Sequence, residues 1–157
     1  MSETETALKL IALDEEDLAV ISAHVQDSCV QGAEITYLPA QKRFVLAAMR
    51  YDWSAAARGR HERVGAALRF DRVLKVSHIG LDPESRATTL NLLAVGFEET
   101  DAPSGIVTLA FFGGAAVRLE VECVEGELRD IGPREQVKVC PGHALIDDSK
   151  VGSSVAR

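Results

Sequence analysis

IVTLAFF (106–112), Gly113–Gly114 and AAVRLEVEC (115–123) make the uninterrupted stretch whose reading decides the fold. Two β-prone arms flank a glycine pair, and glycine supplies the positive φ angles that a tight hairpin requires. In the second arm Val117, Leu119, Val121 and Cys123 alternate with Arg118, Glu120 and Glu122. A period of two puts the apolar side chains on one face and the charges on the other, as in an antiparallel sheet with one wet surface.

The same texture extends toward the N-terminus. TLNLLAVGF (89–97) is a strand between the turn-rich LDPESRA (81–87) and the loop ETDAPSG (99–105). Residues 64–79 read as one long strand, with Val64, Ala66, Leu68, Phe70, Leu74 and Val76 on one face and Arg72 intruding among them. ITYLP (35–39) and FVLAAMRY (44–51) are two more strands, joined near Pro39–Lys42. Ahead of them, LKLIAL (8–13) is a short apolar strand. Asp14 is a helix cap, Glu15, Glu16 and Asp17 suit the positive end of the helix dipole, and Leu18, Ile21 and Val25 follow at helical spacing to an end near Asp27.

Toward the C-terminus, Val121, Val124, Leu128 and Ile131 fit a helical spacing, which predicts a short helix stopped by Gly132–Pro133. Residues 134–157 show no sustained period and are expected to be a loosely packed or disordered tail. The expectation is one α+β domain over residues 1–133. It combines an N-terminal strand and helix, a predominantly antiparallel sheet of about six strands as a roll or half-open barrel, and a short C-terminal helix. Pleckstrin-homology domains offer an architectural analogy and nothing more.

Composition narrows the function. With 157 residues, 46% hydrophobic and 26% charged, the chain suits a single domain. Its net charge of −7 disfavours nucleic acid and anionic membrane as partners. Cys29, Cys123 and Cys140 are odd in number and lack paired spacing, and MSETETALKL has no signal-peptide pattern, so reduced thiols in a cytoplasm are expected. No apolar stretch approaches the roughly 18 residues of a membrane span.

RYDW (50–53), RFDRV (69–73) and LEVECVEGELRDIGP (119–133), together with LKLIALDEEDLAVISAHVQD (8–27) and YLP (37–39), resemble a bacterial family of short proteins catalogued only as a domain of unknown function. The resemblance covers roughly residues 8 to 133 and implies no activity, cofactor or catalytic residue.

Candidate site residues are therefore chosen on chemistry alone. YDWSAAARGRHERV (51–64) holds the only tryptophan beside the densest arginine cluster. From Asp52 to Arg63, however, three arginines face two carboxylates, a formal charge of only +1. Arg50, Trp53, Arg69, Arg72 and His78 would form a small-anion pocket if the fold brought them together. In the competing reading they are loop and sheet residues. Arg69 would pair with Asp71, and Arg72 would either be buried against Asp52, Glu98 or Glu120 or be turned outward by a bulge.

Cys140 and His143 have the spacing of half a zinc site with no second half, and no nucleophile elbow or glycine-rich phosphate loop is present. No metal, cofactor or catalytic residue is assigned. FVLAAMRY supplies the remaining clue, because neither of its faces is polar, so both require cover. A cytoplasmic accessory or binding module that forms a homodimer is the first expectation. The alternative is a small enzyme or small-anion binder with a pocket around Trp53, Arg69 and Arg72, and an unidentified protein partner remains open.

Overall fold

Asp14 begins the first helix through its side chain, whose Oδ1 accepts the Asp17 N–H at 2.8 Å. The computed structural model describes residues 7–81 and 88–137. Its elements are β1 (Lys9–Ala12), α1 (Glu15–Val25), β2 (Ser28–Leu38), β3 (Arg43–Tyr51), α2 (Trp53–Ala56), β4 (Glu62–Asp71), β5 (Val73–Ile79), β6 (Thr89–Asp101), β7 (Ser104–Phe111), β8 (Ala116–Val121) and β9 (Gly126–Gln136). A single 3-10 turn, Pro39–Gln41, links β2 to β3.

All the pairings are antiparallel, and the strands lie in one sheet in the order β1-β9-β4-β3-β2-β6-β7-β8-β5. β4 and β5 stand far apart in that order, yet a single residue, Arg72, connects them. Consecutive Cα atoms are about 3.8 Å apart, so the sheet has to curl until its β5 edge meets the end of β4. The seam is stitched by main-chain bonds in which Val73 N–H donates to Lys42 O, Glu122 N–H to Arg72 O and Asp71 N–H to Glu125 O, each at 2.9 Å. A half-open barrel results.

Inside the curl, Phe44, Leu46, Leu68, Phe70 and Leu128 face Leu92, Leu109 and Leu119. Leu18, Ile21 and Val25 of α1 join that core. The Ser22 hydroxyl, accepting from Val95 N–H at 2.9 Å, fixes the helix to β6. The core face of β3 is thus covered from within.

Four expectations change. The single strand over 64–79 is broken at Arg72, whose φ of 63° turns the chain. The alternation therefore changes phase, with Val73 buried and Leu74 50% exposed. The expected C-terminal helix is instead β9, whose backbone pairs with β4 on one side and β1 on the other. Helical spacing is a weak preference, and two flanking strands override it.

The boundary at Pro133 falls within β9, which continues to Gln136, and the sheet has nine strands among the described residues rather than about six. Most of LDPESRA, the rest of the tail and the Cys140–His143 pair lie outside the described residues.

Candidate functional site

β3 delivers Arg50 to the core side and Tyr51 to the opposite side at one end of the barrel. Arg50 grips Asp130 of β9 with two parallel bonds, Nε to Oδ1 at 2.8 Å and Nη2 to Oδ2 at 2.9 Å. The Leu8 N–H adds a third bond to that carboxylate at 3.0 Å. Next to them, Asp52 caps α2 by accepting from Ala55 N–H at 3.0 Å and also accepts from Arg134 Nη1 at 2.9 Å. The same Arg134 nitrogen donates to Glu62 at 2.7 Å.

Burial works to raise the Asp52 carboxyl, but the Ala55 N–H and the Arg134 and Arg50 guanidiniums outweigh it and hold the group below its ordinary value. Arg134 is raised in turn, because Asp52 and Glu62 overcome its own burial. His24, near the end of α1, is lowered by burial and then by Arg50, against the opposing pull of Asp52 and Asp130.

On the opposite side, the Tyr51 ring is fully buried and its hydroxyl lies 2.6 Å from His61 Nδ1. Trp53 meets that ring edge-on at 4.6 Å and donates its Nε1–H to the Gln26 carbonyl at 3.1 Å. Arg63 covers Tyr51 at 5.7 Å and donates to the carbonyls of Asp27 and Met49, each at 3.0 Å. The tryptophan–arginine loop is a clamp that closes the barrel end onto α1.

Arg69 and Arg72 are elsewhere. Arg69 pairs with Val45 in the β3–β4 register, whereas Tyr51 pairs with Arg63. Six residues at about 3.3 Å per residue put Arg69 roughly 20 Å from the Trp53 end. Arg69 Nε donates to Asp71 at 3.0 Å, and its Nη1 is 2.9 Å from Glu127.

Arg129 at 3.1 Å and Lys9 at 3.7 Å complete a ring of cations around Glu127. Burial pushes that carboxyl up, but the Arg129 hydrogen bond and the charges of Arg69, Arg129 and Lys9 bring it below its usual value. Arg72 is turned outward and is paired with Glu125 at 3.0 Å and Glu122 at 3.5 Å. His78 is exposed on β5, an edge strand.

Of the five candidate residues, only Arg50 and Trp53 share an end of the barrel. The pocket around Trp53, Arg69 and Arg72 does not form. Among the described residues, no three His, Cys, Asp or Glu side chains are grouped to hold a metal ion, and no helix is long and apolar enough to cross a membrane.

An open, largely apolar concavity is on the outer face. Across β2, β3, β4 and β9, a shallow groove of about 220 Å³ is lined by Cys29, Ala47, Met49, Gly65 and Ile131, with Glu34 on its β2 side. Ile131 is 60% exposed. Gly65 keeps the floor closed, because a Cβ there would collide with the Gly132 carbonyl of β9.

Residues 8–143 match the model of a family described as a protein of unknown function, DUF2948. The chain belongs to that family. No curated protein and no solved structure matches it. The DUF2948 match takes in every strand but no assigned activity, so the site has to be read from its geometry.

Asp130, Arg134 and Glu127 were not singled out in the sequence. Each lies on β9; the helix expected up to Gly132–Pro133 concealed the alternation of Glu127 and Asp130, and the tail expected from residue 134 concealed Arg134. Asp130 shares the core side with Leu128, while Glu127, Arg129 and Ile131 are on the outer side. A period-two reading of GELRDIGPREQ would have exposed them.

Proposed function

We propose that the protein is a non-catalytic cytoplasmic binding module of a bacterial cell that acts as a homodimer, with the outer face of β2, β3, β4 and β9 as its contact surface. The observation that carries this reading is the apolar groove at Met49. Among the described residues, α1 packs on the core side of β3, and the second face lies open in the groove at Ala47 and Met49, short of the clamp over Tyr51. The charged candidates offer less to a ligand, because Arg50, Arg69, Arg72 and Arg134 each hold carboxylates of the chain itself. An apolar face with a polar surround is the usual anatomy of a two-fold contact.

Sedimentation or light scattering at micromolar concentration tests the proposal. A mass of twice 16.9 kDa is expected, falling to the monomer on Met49→Asp. Because Ile131 is mostly exposed, Ile131→Asp should dissociate the dimer without changing the circular dichroism spectrum. A wild-type mass of 16.9 kDa at every concentration tested would overturn it.

A further inference from the structure

Resting on the self-association reading, we infer that the two copies meet about a two-fold axis parallel to the strands, between β3 and β4, so that Glu34 of each copy faces Arg129 of the other. The position of each charge follows from the register. Ala47 and Ala67 pair directly across β3 and β4, and Arg129 of β9 is opposite Ala67. On the other flank, β2 bulges between Val30, opposite Ala48, and Ile35, opposite Leu46, so residues 31–34 together span the level of Ala47, and Glu34, next to Ile35, lines the groove with Ala47. Glu34, Ala47, Ala67 and Arg129 thus form one row across the face, with the acid on one side and the base on the other. At about 4.8 Å per strand, each charge is roughly 7 Å from the line between β3 and β4.

Two faces that meet about a two-fold axis must have that axis lying in the contact plane. If it runs along the strands, β2 of one copy covers β9 of the other, and Glu34 meets Arg129 twice. If it runs across the strands at this row, Glu34 meets Glu34 and Arg129 meets Arg129. Like charges placed opposite one another are destabilising, so electrostatics selects the first arrangement.

Both groups are free to respond. Glu34 is exposed and makes no ion pair among the described residues, and the Arg129 side chain is 52% exposed although it touches Glu127. The small side chains at Ala47 and Ala67 let the sheets approach at the row's centre. The occupant is therefore a second copy with parallel strand alignment, close to the aligned packing of natural sandwiches.

Charge reversal tests the arrangement by sedimentation velocity. Glu34→Arg alone and Arg129→Glu alone each create two like-charge contacts per dimer and should raise the dimer Kd at least tenfold. An equimolar mixture of the two variants restores both opposite-charge contacts and should dimerise within about threefold of wild type, as should the double variant Glu34→Arg/Arg129→Glu.

Glu34→Arg disturbs no ion pair among the described residues, so it is decisive by itself if Arg129→Glu, next to Glu127, melts too early. A dimer that Ile131→Asp dissociates but Glu34→Arg leaves unchanged would retain the face and overturn the axis. A mixture no tighter than its components would overturn the axis as well. A monomeric wild type would remove the self-association reading and this inference with it.

Discussion

Arg50 and Asp130 form a two-bonded ion pair with both side chains only 4% exposed, at N–O distances of 2.8 and 2.9 Å. It joins β3 to β9 across the intervening β4, and the same carboxylate holds the Leu8 N–H at the start of β1. Removing one member of such a pair leaves a buried charge unpartnered, at a cost of about 3–5 kcal/mol. Asp130→Asn and Arg50→Met should each lower the melting temperature by roughly 10 °C or more for a chain of this length. Arg50→Met/Asp130→Leu should lose much less than the sum of the single losses. Additive losses in a thermal melt would show that the two groups act independently.

Gly65 and Gly96 give opposite predictions for the same substitution. A Cβ at Gly65 meets the Gly132 carbonyl, which belongs to the neighbouring backbone and has no rotamer by which to move away. Gly65→Ala should cost at least the 1–3 kcal/mol of ordinary overpacking and disturb the β4–β9 register. At Gly96 a Cβ meets nothing within 4 Å and φ is not positive. Gly96→Ala should be neutral or stabilising by up to about 1 kcal/mol, since alanine restricts the unfolded chain. Urea denaturation of the two variants checks both signs.

Truncation separates residues 134–137 from what precedes them. Arg134 joins Asp52 to Glu62, and Val137 N–H donates to His61 O at 2.9 Å. A chain ending at Pro133 loses these links and the Arg134-to-Gln136 pairing with β4. It should melt several degrees below one ending at Val137. Equal melting temperatures would mean that the last turn of β9 contributes nothing to stability.

The legible parts of the fold were those with a local cause. Asp14 announces α1, and Gly113 and Gly114, with φ of 92° and 93°, announce the β7–β8 hairpin. What stayed hidden depended on distant partners. Arg72 on the apolar phase of RFDRV already raised its turning outward, but nothing local reveals that β4 ends there and β5 crosses to the far edge of the sheet, because the bonds that fix the seam come from Lys42, Glu122 and Glu125. β9 is a strand because β1 and β4 flank it, and Asp130 finds its partner 80 residues away. FVLAAMRY, apolar on both phases, was legible in the sequence, and its second face carries the groove at Ala47 and Met49.

His24 sets a pH dependence that can be isolated from the carboxylates. Its folded pKa is below the ordinary 6.5, through burial first and the Arg50 charge second, with Asp52 and Asp130 opposing. Between the folded and unfolded values the unfolded chain binds more protons than the folded one, so stability rises with pH through that window. It is fully present above the unfolded value and is lost as the pH falls toward the folded one. Asp52 and Glu127 are lowered carboxylates, so their contribution is present above about pH 4 and is lost only below it. Urea midpoints measured between pH 7 and 5 therefore report mainly on His24. The wild type should weaken on going from 7 to 5, whereas His24→Gln, which has no proton to bind, should give a flatter profile. Parallel slopes for the two proteins would assign the dependence to another group.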